Sequence, residues 1–307
     1  MRIGLVMGLH GGPPESSREA PRWEGIRRQA RAAEAAGFDL VVLEDALLYR
    51  DEDETVGYWE SIVVAGALAA ATECIQIGHS VLKGPYRSPA LVAKIAETLD
   101  EVSGGRYVLG LGRGNVPDHD YAAFGFSGGD RTARFEEALH IIHGLLKDGR
   151  VDFAGSHWSA READLVMRGP RSQGPPIVVA AKGPRMLRLA ARYADGWNWW
   201  TDAPDLGPLR PVVDELERAC AEVGRDPLTL PRSLDVYSLD PLGRFPDQAA
   251  FGAGPERIAE QLLAFGELGV EEVRVNLYHP PDDLAVLDEA LARLSGVVAT
   301  LHAAGAA

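Results

Sequence analysis

The chain has 307 residues, 46% of them hydrophobic and 25% charged, with a formal net charge of −14. An acidic excess without clustered Lys and Arg excludes nucleic acid as a partner class, and no stretch approaches the roughly 20 apolar residues of a membrane span. Cys74 and Cys220 show neither metal spacing nor a pairing pattern, which fits reduced thiols of a cytoplasmic protein.

Residues 3–8 are predicted to form a first strand; the apolar run is too short for a signal peptide and is soon followed by His10, Gly11 and Gly12. Residues 22–36 place Trp23, Ile26, Ala30 and Ala33 on one helical face, stopped by Gly37. A buried strand over 39–43 precedes an Ala-rich helix over about 59–71, and residues 75–78 begin a third strand. Ser88-Pro89 opens a helix with Val92, Ile95, Leu99 and Val102 inward. A fourth strand spans 106–112, and Phe135, Leu139, Ile142 and Leu146 mark the fourth helix. The second half repeats the plan: strands over 176–180, 195–199, 234–237 and 272–277 alternate with helices over 184–193 and 208–223, around Ile258, Leu262 and Phe265, and from Leu284 to Val298. Eight such units predict a single α/β domain over 1–307, a (β/α)8 TIM barrel with loop insertions at its C-terminal mouth. Two irregular stretches, 148–175 and 238–254, are expected as excursions near that mouth and as lid candidates.

In such a barrel the chemistry sits where strands end. Those ends supply His10; Glu44 and Asp45; His79, Ser80 and Val81; Arg113 and Asn115; Ala181, Lys182, Gly183, Pro184 and Arg185; and Trp197, Trp199 and Trp200. Ala181 to Arg185 joins a strand directly to a helix with Pro at its first position, so free N–H groups and two cations would meet an anion; an ordinary connection with solvated cations is the competing reading. Gly110-Leu111-Gly112-Arg113-Gly114 lacks the spacing of a dinucleotide fingerprint. Its glycines are read instead as room for a flat ring, with Arg113 as a fixed charge. His140 and His143 stand at i, i+3 without a carboxylate partner, and no metal is expected.

Several segments stand together in a characteristic order. They are Gly37-Phe38-Asp39 leading to Glu44, Leu68 to Thr72 with Ile77-Gly78, and Pro89 to Ala93 into Leu99-Asp100. Ser103-Gly104-Gly105-Arg106, Leu109 to Gly114, Tyr121 with Phe124-Gly125, and Arg134-Phe135 with Glu137 follow. Pro176 with Gly183-Pro184 and Ala194-Asp195-Gly196-Trp197 complete the set. In this the chain resembles the bacterial luciferase-like monooxygenases over about residues 1–300.

The resemblance implies a flavin-dependent oxidoreductase with the ring across the mouth. The phosphate would be held by residues 181–186 and, in the FMN-using branch, by Arg113; Ser80, Val81 and Asn115 would lie beside the cofactor. A non-proline cis peptide is implied within His79-Ser80-Val81. His10, Glu44, Asp45 and His79 are the catalytic candidates, and Trp197 and Trp199 the substrate-pocket candidates, although Asp45 as a cap, His10 in solvent and Trp197 in the core remain open readings. Luciferases carry histidines after strand two, where this chain has Glu44-Asp45-Ala46-Leu47. Relatives using coenzyme F-420, a 5-deazaflavin, often carry Asp-His there and a glutamate at the place of Arg113. Arg113 puts a reduced-FMN monooxygenase first, with F-420-dependent hydride transfer as the alternative and a non-catalytic flavin-binding relative as a second. A small-molecule substrate, a homodimer and a separate flavin reductase are the implied partners. A barrel glycosidase is disfavoured because Glu44 and Asp45 are strand neighbours whose side chains diverge.

Overall fold

The computed structural model describes every residue except 13–19, 51–54, 115–117, 127–128, 246, 248, 253, 278–283 and 307. The first half runs β1 (Arg2–Met7), α1 (Trp23–Ala35), β2 (Leu40–Leu43), α2 (Ser61–Ala71), β3 (Gln76–His79), α3 (Pro89–Ser103), β4 (Tyr107–Gly112) and α4 (Arg131–His143). The second runs β5 (Ile177–Ala180), α5 (Pro184–Tyr193), β6 (Gly196–Thr201), α6 (Arg210–Glu222), β7 (Arg232–Leu239), α7 (Pro255–Ala264), β8 (Val270–Leu277) and α8 (Leu284–Ala306). Each strand pairs in parallel with its sequence neighbours, and β8 returns to β1, closing an eight-stranded barrel. Strands covered on both faces need apolar side chains on both, which is why Ile3–Met7 and Leu40–Leu43 are continuous apolar runs and are buried throughout.

The predicted helix faces hold where the period is clean. Ile26, Ala30 and Ala33 are buried on α1, and Phe135, Leu139, Ile142 and Leu146 in and just beyond α4. Trp23 belongs to no buried stripe and is 42% exposed. On α3 Val92 and Leu99 are buried as predicted, but Val102 is 50% exposed, and Glu97 and Asp100 are buried as well. The cause lies far along the chain. Arg168 donates to Glu97 at 2.8 Å, and Arg171 donates through Nε to Asp100 at 3.0 Å, so two carboxylates turn inward to meet two guanidinium groups.

That same segment corrects the reading of 148–175 as a lid at the mouth. It leaves the C-terminal end of α4, which in a barrel lies at the foot, opposite the mouth. It forms a hairpin of strands Arg150–Ala154 and Ser159–Asp164 packed along α4. Glu137 accepts the backbone N–H groups of Ser156, His157 and Trp158, each at 2.8 Å, and fastens the hairpin tip. Segment 238–254 does leave from the mouth, but a bridge between Leu239 and buried Phe251 tucks it against β7. Among the described residues neither stretch lines the mouth cavity. The insertion standing at the mouth is instead a three-stranded antiparallel sheet of His10–Gly11, Thr55–Tyr58 and Leu48–Arg50. Among the described residues no helix is long and apolar enough to cross a membrane.

Arg106 shows how the foot of the barrel is fastened. Its guanidinium donates to the carbonyls of Ser103, Ile75, Ala69 and Thr72 and to Thr72 Oγ1, at 2.7–3.1 Å. One side chain thereby ends α2 and ties the starts of β3 and β4 together. Arg106→Met keeps the stem and strands these carbonyls; it is expected to cost about 2–4 kcal/mol in urea denaturation. A loss below about 0.5 kcal/mol would show that water replaces the guanidinium.

Candidate active site

At the C-terminal ends of the strands lies an open cavity of about 350 Å³. Glu44 and Asp45 reach it from the end of β2, Ser80 and Val81 from β3, Arg113 from β4, and Lys182 from β5. Trp199 and Trp200 on β6 and Asp235 and Tyr237 on β7 close the other side, with Tyr58 from the mouth sheet. The Ser80–Val81 peptide is cis, inside the predicted tripeptide. Asn115 lies outside the described residues.

The β5 end fits an anion. Gly183 takes φ +81° as the N-cap of α5, no side chain caps the helix, and nothing stands within 4 Å of where a Gly183 Cβ would be. First-turn N–H groups that no side chain satisfies, next to open space, are a ready anion cradle. Lys182 stands beside it, its Nζ 5.4 Å from the centre of the Trp199 ring. Arg185 does not join: its guanidinium turns outward onto Glu136, with Nε donating at 3.0 Å. It contributes helix backbone there, not side-chain charge. Arg113 is exposed and lines the same cavity from the end of the neighbouring strand β4. The donor set therefore fits the phosphate of a flavin-type cofactor, with Lys182, Arg113 and the start of α5 to hold it and the Ser80–Val81 bulge to back its ring.

The β4 glycines make room for protein atoms. A Cβ at Gly112 would stand 2.6 Å from Val81 Cγ2, and one at Gly114 would stand 1.9 Å from Tyr121 Oη. Both glycines also line the cavity, so these protein contacts stand beside open space and do not replace it.

The catalytic candidates separate by environment. His10 and Glu44 come together at the rim, Nδ1 to Oε2 at 3.2 Å, with the Tyr58 ring 5.4 Å from the imidazole. Asp45 is 2% exposed and saturated. Arg87 grips both its oxygens, at 2.9 and 3.0 Å, while Ser61 Oγ donates at 2.9 Å and the Lys83 N–H at 2.8 Å. Burial alone would push this carboxyl up, but the Arg87 hydrogen bonds and charge outweigh it and hold Asp45 below the usual range. An ionised, fully bonded group has no proton to exchange, so Asp45 is an anchor.

His79 is wholly buried with Nδ1 2.9 Å from Tyr107 Oη, and it does not reach the cavity. Burial lowers its pKa to about 4 against the attraction of Asp45, so it is neutral and structural at pH 7. Trp197 is also core, 1% exposed, its indole donating to the Ala181 carbonyl at 2.9 Å; Trp199 and Trp200 form the wall instead.

Sequence reasoning missed Arg87 and the polar layer beneath the cavity. Asn198, Asp235 and Arg274 interrupt apolar strands of a barrel core, and that interruption is a legible signal, because buried polar groups persist only with partners. Arg87 lies 42 residues from Asp45, and no local pattern announces it.

A family model described as Luciferase-like monooxygenase matches residues 1–240. The chain is 31% identical over 227 residues to the F420-dependent hydroxymycolic acid dehydrogenase of Mycobacterium tuberculosis, covering 73% of this chain and 61% of that protein. It is 38% identical over 171 residues to the F420-dependent glucose-6-phosphate dehydrogenase of Beutenbergia cavernae, covering 54% of this chain and 49% of that one. Among solved structures, monooxygenase RslO1 from Streptomyces bottropensis matches with a TM-score of 0.82 at 18% identity, over 98% of this chain and 100% of that one.

Two measurements check these assignments. Arg87→Met leaves Asp45 a buried, uncompensated charge and is expected to cost about 3–5 kcal/mol, most of it recovered in the double variant with Asp45→Asn. If the double variant is no more stable than the single, the pair is not what holds this region. His79 gives a pH signature. Its folded pKa of about 4 lies below the ordinary 6.5, so the unfolded chain takes up the proton first and stability falls as pH drops through that window. The group's share is about 3 kcal/mol, and His79→Gln should lose that share of the difference between pH 7 and pH 4.5.

Proposed function

Because the chain belongs to the luciferase-like monooxygenase family and is an oxidoreductase, we propose that its ring cofactor is the 5-deazaflavin coenzyme F-420 and that it transfers hydride to or from a small organic substrate. The observation that carries the reading is the uncapped α5 start at Gly183 with Lys182 and Arg113 on one cavity, a cradle for a phosphate-bearing ring. The names of the relatives that match at 31% and 38% identity support the deazaflavin. A deazaflavin supplies hydride transfer with little reaction toward O2, whereas reduced FMN supplies O2 activation.

The protein's own share is binding, orientation and one proton. Lys182, Arg113 and the α5 N–H groups hold the anion. Ser80 and Val81 would stand against the ring, and Trp199 and Trp200 line the other side of the cavity. The His10–Glu44 pair, at 3.2 Å, is the rim group able to hold or pass a proton, because Asp45 and His79 are locked.

A second reading, a reduced-FMN monooxygenase served by a separate reductase, is favoured by Arg113 standing where the FMN-using branch carries an arginine. A non-catalytic relative with a shortened barrel fits poorly with eight complete βα units.

Titrating F-420 and FMN side by side tests the choice. F-420 is expected to bind at least about tenfold tighter; the reverse order establishes FMN. Lys182→Met or Arg113→Ala should weaken the phosphate-bearing cofactor roughly 10- to 150-fold, the worth of a charge-assisted contact. Each variant should leave binding of the phosphate-free ring compound nearly unchanged. An equal loss for both ligands would remove these residues from the phosphate site.

A further inference from the structure

We infer that the floor of the mouth cavity is a second recognition site, in which Asp235 takes the hydroxyl or carbonyl oxygen of an uncharged organic ligand and turns away carboxylates. The inference rests on the reading of the mouth as a cofactor-and-substrate cavity. It deepens that reading by naming the substrate class.

The cavity is chemically divided. Its cationic residues, Lys83, Arg113 and Lys182, stand on the β3, β4 and β5 ends, around the anion cradle. Among the described residues β6 and β7 contribute no cation of their own to the cavity, and Lys182 Nζ approaches their wall only at the Trp199 ring, 5.4 Å from its centre. There Trp200 meets Tyr237 edge to face at 6.2 Å and Trp199 lies 6.1 Å from Trp200, an apolar wall with Asp235 below it. A ligand settled on that side meets aromatic carbon, the Asn198 amide and one carboxyl group.

Asp235 differs from Asp45 in what holds it. Asp45 has a bidentate guanidinium and two further donors, and needs nothing more. Asp235, 4% exposed, accepts two neutral donors: Ser80 Oγ at 2.5 Å from across the barrel and Asn198 Nδ2 at 3.0 Å from β6. A carboxylate offers about four acceptor positions, so half are open on a group that lines the cavity. From β8, Arg274 gives its Nε to Glu272 at 2.7 Å and comes only within 3.9 Å of Asp235. Glu272 is also met by Arg2 at 3.1 Å. These are the charged groups facing Asp235; on its own strand Tyr237 adds a phenol held neutral by burial. Burial pushes the Asp235 carboxyl up against the pull of Arg274. A buried carboxyl whose nearest cation stands 3.9 Å away, beyond hydrogen-bond reach, gains from each further hydrogen bond. A ligand hydroxyl supplies one, and a ligand carbonyl accepts one from the protonated form. A ligand carboxylate brings like charge into the same desolvated corner.

The test uses cyclohexanol and cyclohexanecarboxylate as probes, followed by tryptophan fluorescence, which Trp199 and Trp200 report. In the unaltered protein at pH 8 the alcohol is expected to bind at least roughly tenfold tighter than the carboxylate. Asp235→Ala should weaken the alcohol about tenfold, and Asp235→Asn should narrow the gap by admitting the carboxylate. Trp200→Phe should remove much of the signal, locating it on this wall. Titration of F-420 and FMN into the same variants reads the cofactor cradle separately; unchanged cofactor binding beside altered probe selectivity is the expected pattern. Equal binding of the two probes, no saturable alcohol response, or a selectivity that Asp235→Asn leaves intact overturns the inference. If the cofactor titrations fail while the probe results hold, the reading of the cradle falls and the floor site stands.

Discussion

Strand β4 can lie flush against the end of β3 only because it carries glycine at the points of closest approach. A Cβ at Gly110 would stand 1.9 Å from the His79 carbonyl oxygen, and on β3 a Cβ at Gly78 would stand 2.8 Å from the Val108 carbonyl oxygen. Most of the candidate site follows from this contact. It lets the chain after His79 bulge over the barrel opening, which presents Val81 to the cavity and allows Ser80 to reach across the barrel to Asp235. The same turn carries the Lys83 N–H to the Asp45 carboxylate. A side chain at Gly110 would separate the two strands and disturb the floor, the bulge and the β2 anchor together.

Two buried carboxylates then divide the electrostatic work. Charge withdrawn from water is tolerated only with compensation. At Asp45 the compensation is internal and complete, so that residue spends its charge on holding Arg87 and the loop after β3. At Asp235 it is partial, and the remaining acceptor capacity faces outward. Position on the strand ends does not distinguish the two; the count and charge of their donors does.

The eight alternating units were legible in the sequence because each is a local period, and the cis peptide at Ser80–Val81 was legible through the family resemblance. The family was legible for a related reason. Many of the residues that carry the resemblance are fasteners: Arg106 gathers carbonyls at the foot, Asp39 accepts the Ile3 N–H at 2.8 Å, Glu137 grips the hairpin tip, and Asp195 accepts the Ile177 N–H at 2.8 Å. What escaped depends on partners distant in sequence. The inward turn of Glu97 and Asp100 is set by Arg168 and Arg171, some 70 residues on, and the locking of Asp45 by Arg87. Segment 148–175 was misplaced because its length was read without regard to which end of α4 it leaves.

The foot and the mouth of this barrel therefore answer to different pressures. Arg106 is bound to four backbone carbonyls in two stretches of chain, and few substitutions keep those bonds. Arg113 and Trp200 are exposed at the cavity, and among the described residues neither makes a side-chain hydrogen bond or ion pair that fastens an element. Sequence drift at such positions leaves the scaffold standing while it alters what the mouth will accept. A lineage built this way can change substrates by small steps without crossing an unfolded intermediate, and a laboratory library aimed at new substrates would lose fewest members to misfolding if confined to those rim positions.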